Sequence, residues 1–127
     1  MLLTKKMISY TSEQILDLIE TIYLDKKIIL LSPVIKSRKG NYQDLFQQTI
    51  KKGFTQCRID GEIVDISNST SLERYKNHDI EIVIDKLFLE KEKFSKKRLK
   101  DSIETCFFHG NNSILIIEKD SGEGRYF

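Results

Sequence analysis

Residues 27–32, Lys-Ile-Ile-Leu-Leu-Ser, form an uninterrupted apolar run that stops at Pro33, and no other segment limits the fold so strongly. A short run rich in branched side chains, without helical periodicity, reads as a strand covered on both faces. Such a strand belongs in the middle of a sheet, so the rest of the chain must supply its neighbours and its cover.

The neighbours are legible. Gln56–Asp60 alternates polar and apolar residues, and Asp60-Gly61 is a hairpin dipeptide leading into Glu62–Ile66. Ile80–Phe88 is the longest further strand candidate, Ser113–Ile117 is the last, and Ser67–Ser71 is a polar loop. Three segments carry apolar residues at helical spacing. The first has the stripe Ile15, Leu18, Ile19 and Ile22, and Thr11 with Gln14 fits a capping box. The second starts near Asn41, shows Tyr42, Leu45, Phe46, Thr49 and Ile50 on one face, and stops at Gly53. The third carries Leu99, Ile103, Cys106 and Phe107 and ends near His109-Gly110. The order is α-β-α-β-β-β-α-β. Interleaving of this kind predicts an α/β (α+β) domain, a central mixed sheet with about three helices packed on it.

Length and charge agree with one domain over residues 1–127. The chain has 21 basic and 19 acidic residues, a net charge of +2, and 39% apolar residues. That is enough for one core without disulfide or metal staples. With six glycines and one proline there is no low-complexity linker, and no segment of about 18 apolar residues could cross a bilayer. Residues 1–7 contain two lysines but no long apolar region after them, so a secretory signal is not expected. Cys57 and Cys106 each lie among apolar residues, as reduced buried thiols do. The expected setting is soluble, without a membrane, and cytoplasmic.

Few residues offer chemistry. His78 and His109 have no recognisable catalytic context, and Cys106 with His109, three apart on one helix, reads as a core thiol beside a helix-terminal histidine. Two cysteines and two histidines scattered over residues 57–109 include no Cys-x-x-Cys pair, so neither a catalytic nor a metal-ligating set is predicted. Ser121-Gly122-Glu123-Gly124 has no helix after it to make a phosphate cradle. Two basic clusters could meet an anion: Lys36, Arg38 and Lys39 before the second helix, and residues 91–100, with six basic residues against one acidic. Lys96, Lys97 and Arg98 fall in the first turn of a helix, where cations oppose the dipole, so contact with a nucleic-acid backbone is a candidate use for them.

Four ordered blocks carry a resemblance. They are residues 27–40 with Ser32-Pro33 and Arg38-Lys39-Gly40; Gly53-Phe54-Thr55-Gln56-Cys57-Arg58-Ile59-Asp60-Gly61-Glu62; residues 72–86 with Asn77-His78-Asp79-Ile80-Glu81 and Val83-Ile84-Asp85-Lys86; and Arg98-Leu99-Lys100-Asp101-Ser102-Ile103-Glu104-Thr105-Cys106. Together, over about residues 27–118, they resemble one part of the UvrA family of the bacterial excinuclease ABC. That part is the insertion in the first ATP-binding half that docks UvrB. The resemblance implies a noncatalytic interaction domain of a larger ATPase in nucleotide excision repair, with ATP and zinc bound outside this piece and DNA met through the full complex. It also implies docking positions: two family arginines on the exposed sheet surface match Gln56 and Lys86. Gln56 keeps hydrogen bonding without charge, and Lys86 keeps charge without the planar fork. Arg58 shares the strand parity of Gln56 and is the neighbour placed to help.

Overall fold

A computed structural model describes residues 10–127. The N-terminal reading of residues 1–7 lies outside them. The elements are α1 (Ser12–Ile22), β1 (Lys27–Lys39), α2 (Gln43–Lys51), β2 (Gln56–Ile59), β3 (Glu62–Asp65), β4 (Asn77–Phe88), α3 (Lys96–His109), β5 (Leu115–Glu118) and β6 (Gly124–Tyr126).

Local signals set most element ends. Thr11 Oγ1 accepts from the Gln14 amide at 3.1 Å while Gln14 Oε1 accepts from the Thr11 amide at 2.8 Å, the reciprocal bonds of the expected capping box. Ser95 Oγ caps α3 by accepting from the Arg98 amide. Asp60 and Gly61 both have positive φ, 50° and 90°, as a two-residue hairpin turn of this hand requires. Helix α2 begins at Gln43, two residues after the expected start, because Tyr42 is left-handed (φ 57°) and cannot be part of the helix.

The six strands form one sheet in the order β3-β2-β4-β1-β5-β6. The α+β class and the element order are as expected, with β6 as an additional edge strand. The sheet itself is not mixed: every ladder is antiparallel. Two helical crossovers, β1-α2-β2 and β4-α3-β5, do join strands of like direction. Each leaves a one-strand gap that the other unit fills with a strand running the opposite way, β4 between β1 and β2, and β1 between β4 and β5.

Strand β1 also runs through Pro33 to Lys39 instead of ending there. Its β5 partner reaches only Leu31, so from Ser32 onward β1 is an edge on that side, and the register with β4 shifts after Pro33. An edge or a bulge is where a residue without an N–H fits a sheet.

All three helices lie on one face. Ile15, Ile19, Leu99 and Ile103 pack with Ile28, Leu30 and Ile116, while Phe46 of α2 packs with Cys57, Ile80 and Ile82. Ser32, opposite Ile82, donates to the Cys106 carbonyl of α3, tying both regions to the same side. The opposite face holds a second cluster, Ile29, Leu31, Val83, Leu115 and Ile117, made of strand residues alone. Residues 28–32 are therefore buried on both sides but roofed by helices on only one. Both cysteines are free and buried, and burial pushes each thiol up to about 12, far from the thiolate that nucleophilic chemistry needs. Among the described residues, no helix is long and apolar enough to cross a membrane.

The loop before β4 is tied down by His78, only 6% exposed. Its Nδ1 lies 2.7 Å from Asp60 Oδ2 and its Nε2 2.7 Å from the Glu73 carbonyl. Two acceptors demand two ring protons, and the hydrogen bond to Asp60, then that to Glu73, raise the imidazole pKa above its ordinary 6.5. A raised folded-state value stabilises fully below the unfolded value and is lost as pH rises through the folded one. The Tm difference between the wild type and His78→Gln should therefore be greatest below the ordinary imidazole value of 6.5 and shrink as the pH rises above it. A difference independent of pH would refute the charged lock.

Candidate protein-docking face

Among the described residues, no helix packs on the second face of the sheet, and a bulge decides which side chains reach it. Leu30 pairs with Asp85 but Leu31 pairs with Val83, so Ile84 is an extra residue in β4. Ile82, Ile84 and then Asp85 turn toward the helices, and the alternation resumes with Lys86 on the open face opposite Ile29. Gln56 continues the β2–β4 register next to Val83, on the same face. Gln56, Lys86 and Arg98 thereby line one shallow cleft of about 380 Å³ with Phe54, Val83 and Asp85.

Asp85 is what the bulge turns inward. It accepts from Arg98 through two bonds, Nη2 to Oδ1 at 2.7 Å and Nε to Oδ2 at 3.1 Å. Ser102 Oγ adds a third at 2.7 Å and the Lys86 amide a fourth at 2.9 Å. Burial pushes this carboxyl up, but the bonds from Arg98 and Ser102 outweigh it and hold it below its ordinary range. The network staples α3 to β4 and fixes the backbone that carries Lys86. Neither Asp85 nor Ser102 stood out as a site residue in the sequence, although both sit in the resembling blocks.

Arg58 faces the same open surface but is occupied. Its Nη1 is 2.9 Å from Oε1 of Glu81, a carboxylate only 3% exposed. Burial raises the Glu81 pKa and the Arg58 hydrogen bond only partly offsets it. Gln56 donates to Asp65 across the β2–β3 hairpin at 2.9 Å. Lys86 has no ion-pair partner among the described residues, so of the three expected docking residues it alone presents an uncommitted charge.

The basic segment is different. Lys93 pairs with Glu90, Lys96 with Glu20, Lys97 with Asp101, Arg98 with Asp85, and Lys100 with Glu13, at 2.7 to 3.4 Å. Five of its six cations thus meet carboxylates of the chain itself, which offsets the unfavourable charges in the first turn of α3. Lys36 instead lies over the Tyr126 ring at 5.5 Å, and Arg38 and Lys39 extend along the edge of β1. Among the described residues, no group of three or more His, Cys, Asp or Glu side chains could hold a metal.

The fold and this face define an α+β module whose helices all pack on one side of its sheet. The chain belongs to the UvrA interaction domain family, whose profile matches residues 10–120. Its similarity to individual proteins agrees. It is 34% identical over 119 residues to UvrABC system protein A of Neisseria meningitidis serogroup A, covering 94% of this chain and 12% of that protein. It is 44% identical over 98 residues to UvrABC system protein A of Staphylococcus aureus strain Mu50, covering 77% of this chain and 10% of that protein. With the Thermus thermophilus protein of the same name the identity is 35% over 103 residues, or 80% and 11%. The chain therefore spans about a tenth of the length of the curated relatives it matches.

Proposed function

We propose that residues 1–127 are one domain of a larger UvrA-type ATPase, noncatalytic by itself, whose open sheet face docks UvrB during bacterial nucleotide excision repair in the cytoplasm. The observation that carries this reading is Lys86: an uncommitted cation, aimed by a bulge onto a helix-free face, in one cleft with Gln56. These are the two positions where the family resemblance puts docking arginines. ATP and zinc belong to other parts of such a protein, and DNA is met through the assembled complex. A few charged groups on such a face mainly set association rate and register, which suits a partner that is loaded and then released.

Lys86→Glu should weaken binding of purified UvrB by about tenfold or more, since a like-charge contact replaces an attractive one, with Tm nearly unchanged. Gln56→Arg should strengthen binding, although it gives up the bond to Asp65. Failure of the wild-type chain to bind UvrB saturably at low salt would sink the proposal. Nucleic-acid-backbone binding through residues 91–100 is the weaker reading, because the cations it needs are already paired within the chain.

A further inference from the structure

Beyond the cleft, on the far side of Lys86, the open face ends in a second hollow of about 250 Å³. Its floor is Ile29 and the ring of Phe88; its rim is Lys27, Lys86 and Lys119. The lysines come from β1, from β4 and from the residue following β5. Lys27 Nζ stands 5.9 Å from the Phe88 ring centroid. No acidic side chain lines the hollow, and none of the three lysines has an ion-pair partner among the described residues. Phe88 is 48% exposed. Three uncompensated cations around a half-wet aromatic ring are unfavourable for the isolated domain, both by mutual repulsion and by exposure of apolar surface. Both costs are relieved by the same kind of ligand.

We propose that Lys27, Lys86, Lys119 and Phe88 form a socket for a partner-protein segment in which an apolar side chain is flanked by carboxylates. The apolar side chain covers the exposed part of Phe88, and the carboxylates meet the lysines. This inference rests on the docking reading above and supplies the partner chemistry that reading lacks. A phosphodiester backbone would satisfy the lysines but leave Phe88 half-exposed, so a protein segment is the better match.

The test titrates the ¹⁵N-labelled chain with a short peptide holding one leucine among glutamates. The comparison ligands are the same peptide with serine for leucine, the same with lysines for glutamates, and a DNA duplex. Amide shifts should cluster at Lys27–Ile29, Lys86–Phe88 and Lys119 for the first peptide only. Phe88→Ser should weaken that binding by about tenfold, and Lys27→Glu with Lys119→Glu should abolish it, with melting curves confirming that the variants are folded. Shifts that are scattered or absent, or a duplex that moves the same amides more strongly, would overturn the socket. UvrB is then bound to the same variants. If Lys86→Glu weakens UvrB but the Phe88 and Lys27/Lys119 variants do not, the socket is no part of docking and the docking face stands. If the peptide binds and UvrB does not, the docking reading falls and the socket remains as a site for acidic segments.

Discussion

Alanine at Arg58 is expected to destabilise the domain by about 2–3 kcal/mol at neutral pH, because it strands the Glu81 carboxylate without its partner. Burial already raises the Glu81 pKa, so the folded state holds its proton more tightly than the unfolded chain does. Ionised Glu81 therefore costs stability above its folded pKa, and the cost grows when Arg58 is gone. The deficit should be largest at neutral pH and shrink as the pH falls and the orphaned carboxyl takes a proton. Denaturant unfolding of Arg58→Ala and the wild type at neutral and acidic pH reads this directly. A deficit under about 0.5 kcal/mol, the size expected of a solvated strand residue, would contradict the pairing. Weakened UvrB binding by this variant would then need correction for the fraction unfolded, which is not so for Lys86→Glu.

Asp85→Ala is expected to cost about 2 kcal/mol, since it removes the acceptor for Arg98, Ser102 and the Lys86 amide together. Arg98 is largely exposed and can be rehydrated, which keeps the loss below that of a fully buried pair. The Asp85 pKa is lowered in the fold, so its contribution is present above the unfolded value and is lost as pH falls through the folded one. Unlike Lys86→Glu, this variant should lower Tm and UvrB affinity together, because the backbone under Lys86 loses its anchor. A drop in Tm with unaltered affinity would show that the network does not position Lys86.

What the sequence made legible was local. The Thr11 cap, the Asp60-Gly61 turn, the Gly53 stop and the stripe of α1 each depend on residues within one turn or one hairpin. What it concealed depends on partners far along the chain. Strict alternation through Ile82–Phe88 would send Lys86 toward the helices; the bulge at Ile84 exists only in the pairing with β1, and nothing in β4 alone reports it. The mixed-sheet expectation failed for the same reason, because helical crossovers do not reveal which strand fills the gap they span. The cations of residues 91–100 looked free because Glu13 and Glu20, which neutralise two of them, belong to α1 at the other end of the sequence. Arg58 was read with its strand neighbours, whereas its partner Glu81 stands across a ladder.

The interlocking of the two crossovers also sets the order of events as the chain is made. Strand β4 is the neighbour of both β1 and β2, so until residue 77 emerges these two strands lack their shared partner, although β2 can already pair with β3. Neither crossover can close on its own, because each holds the strand that fills the gap of the other. Folding must then wait for long-range closure between segments some fifty residues apart, a topology that favours slow, late, all-or-none assembly over growth from one end.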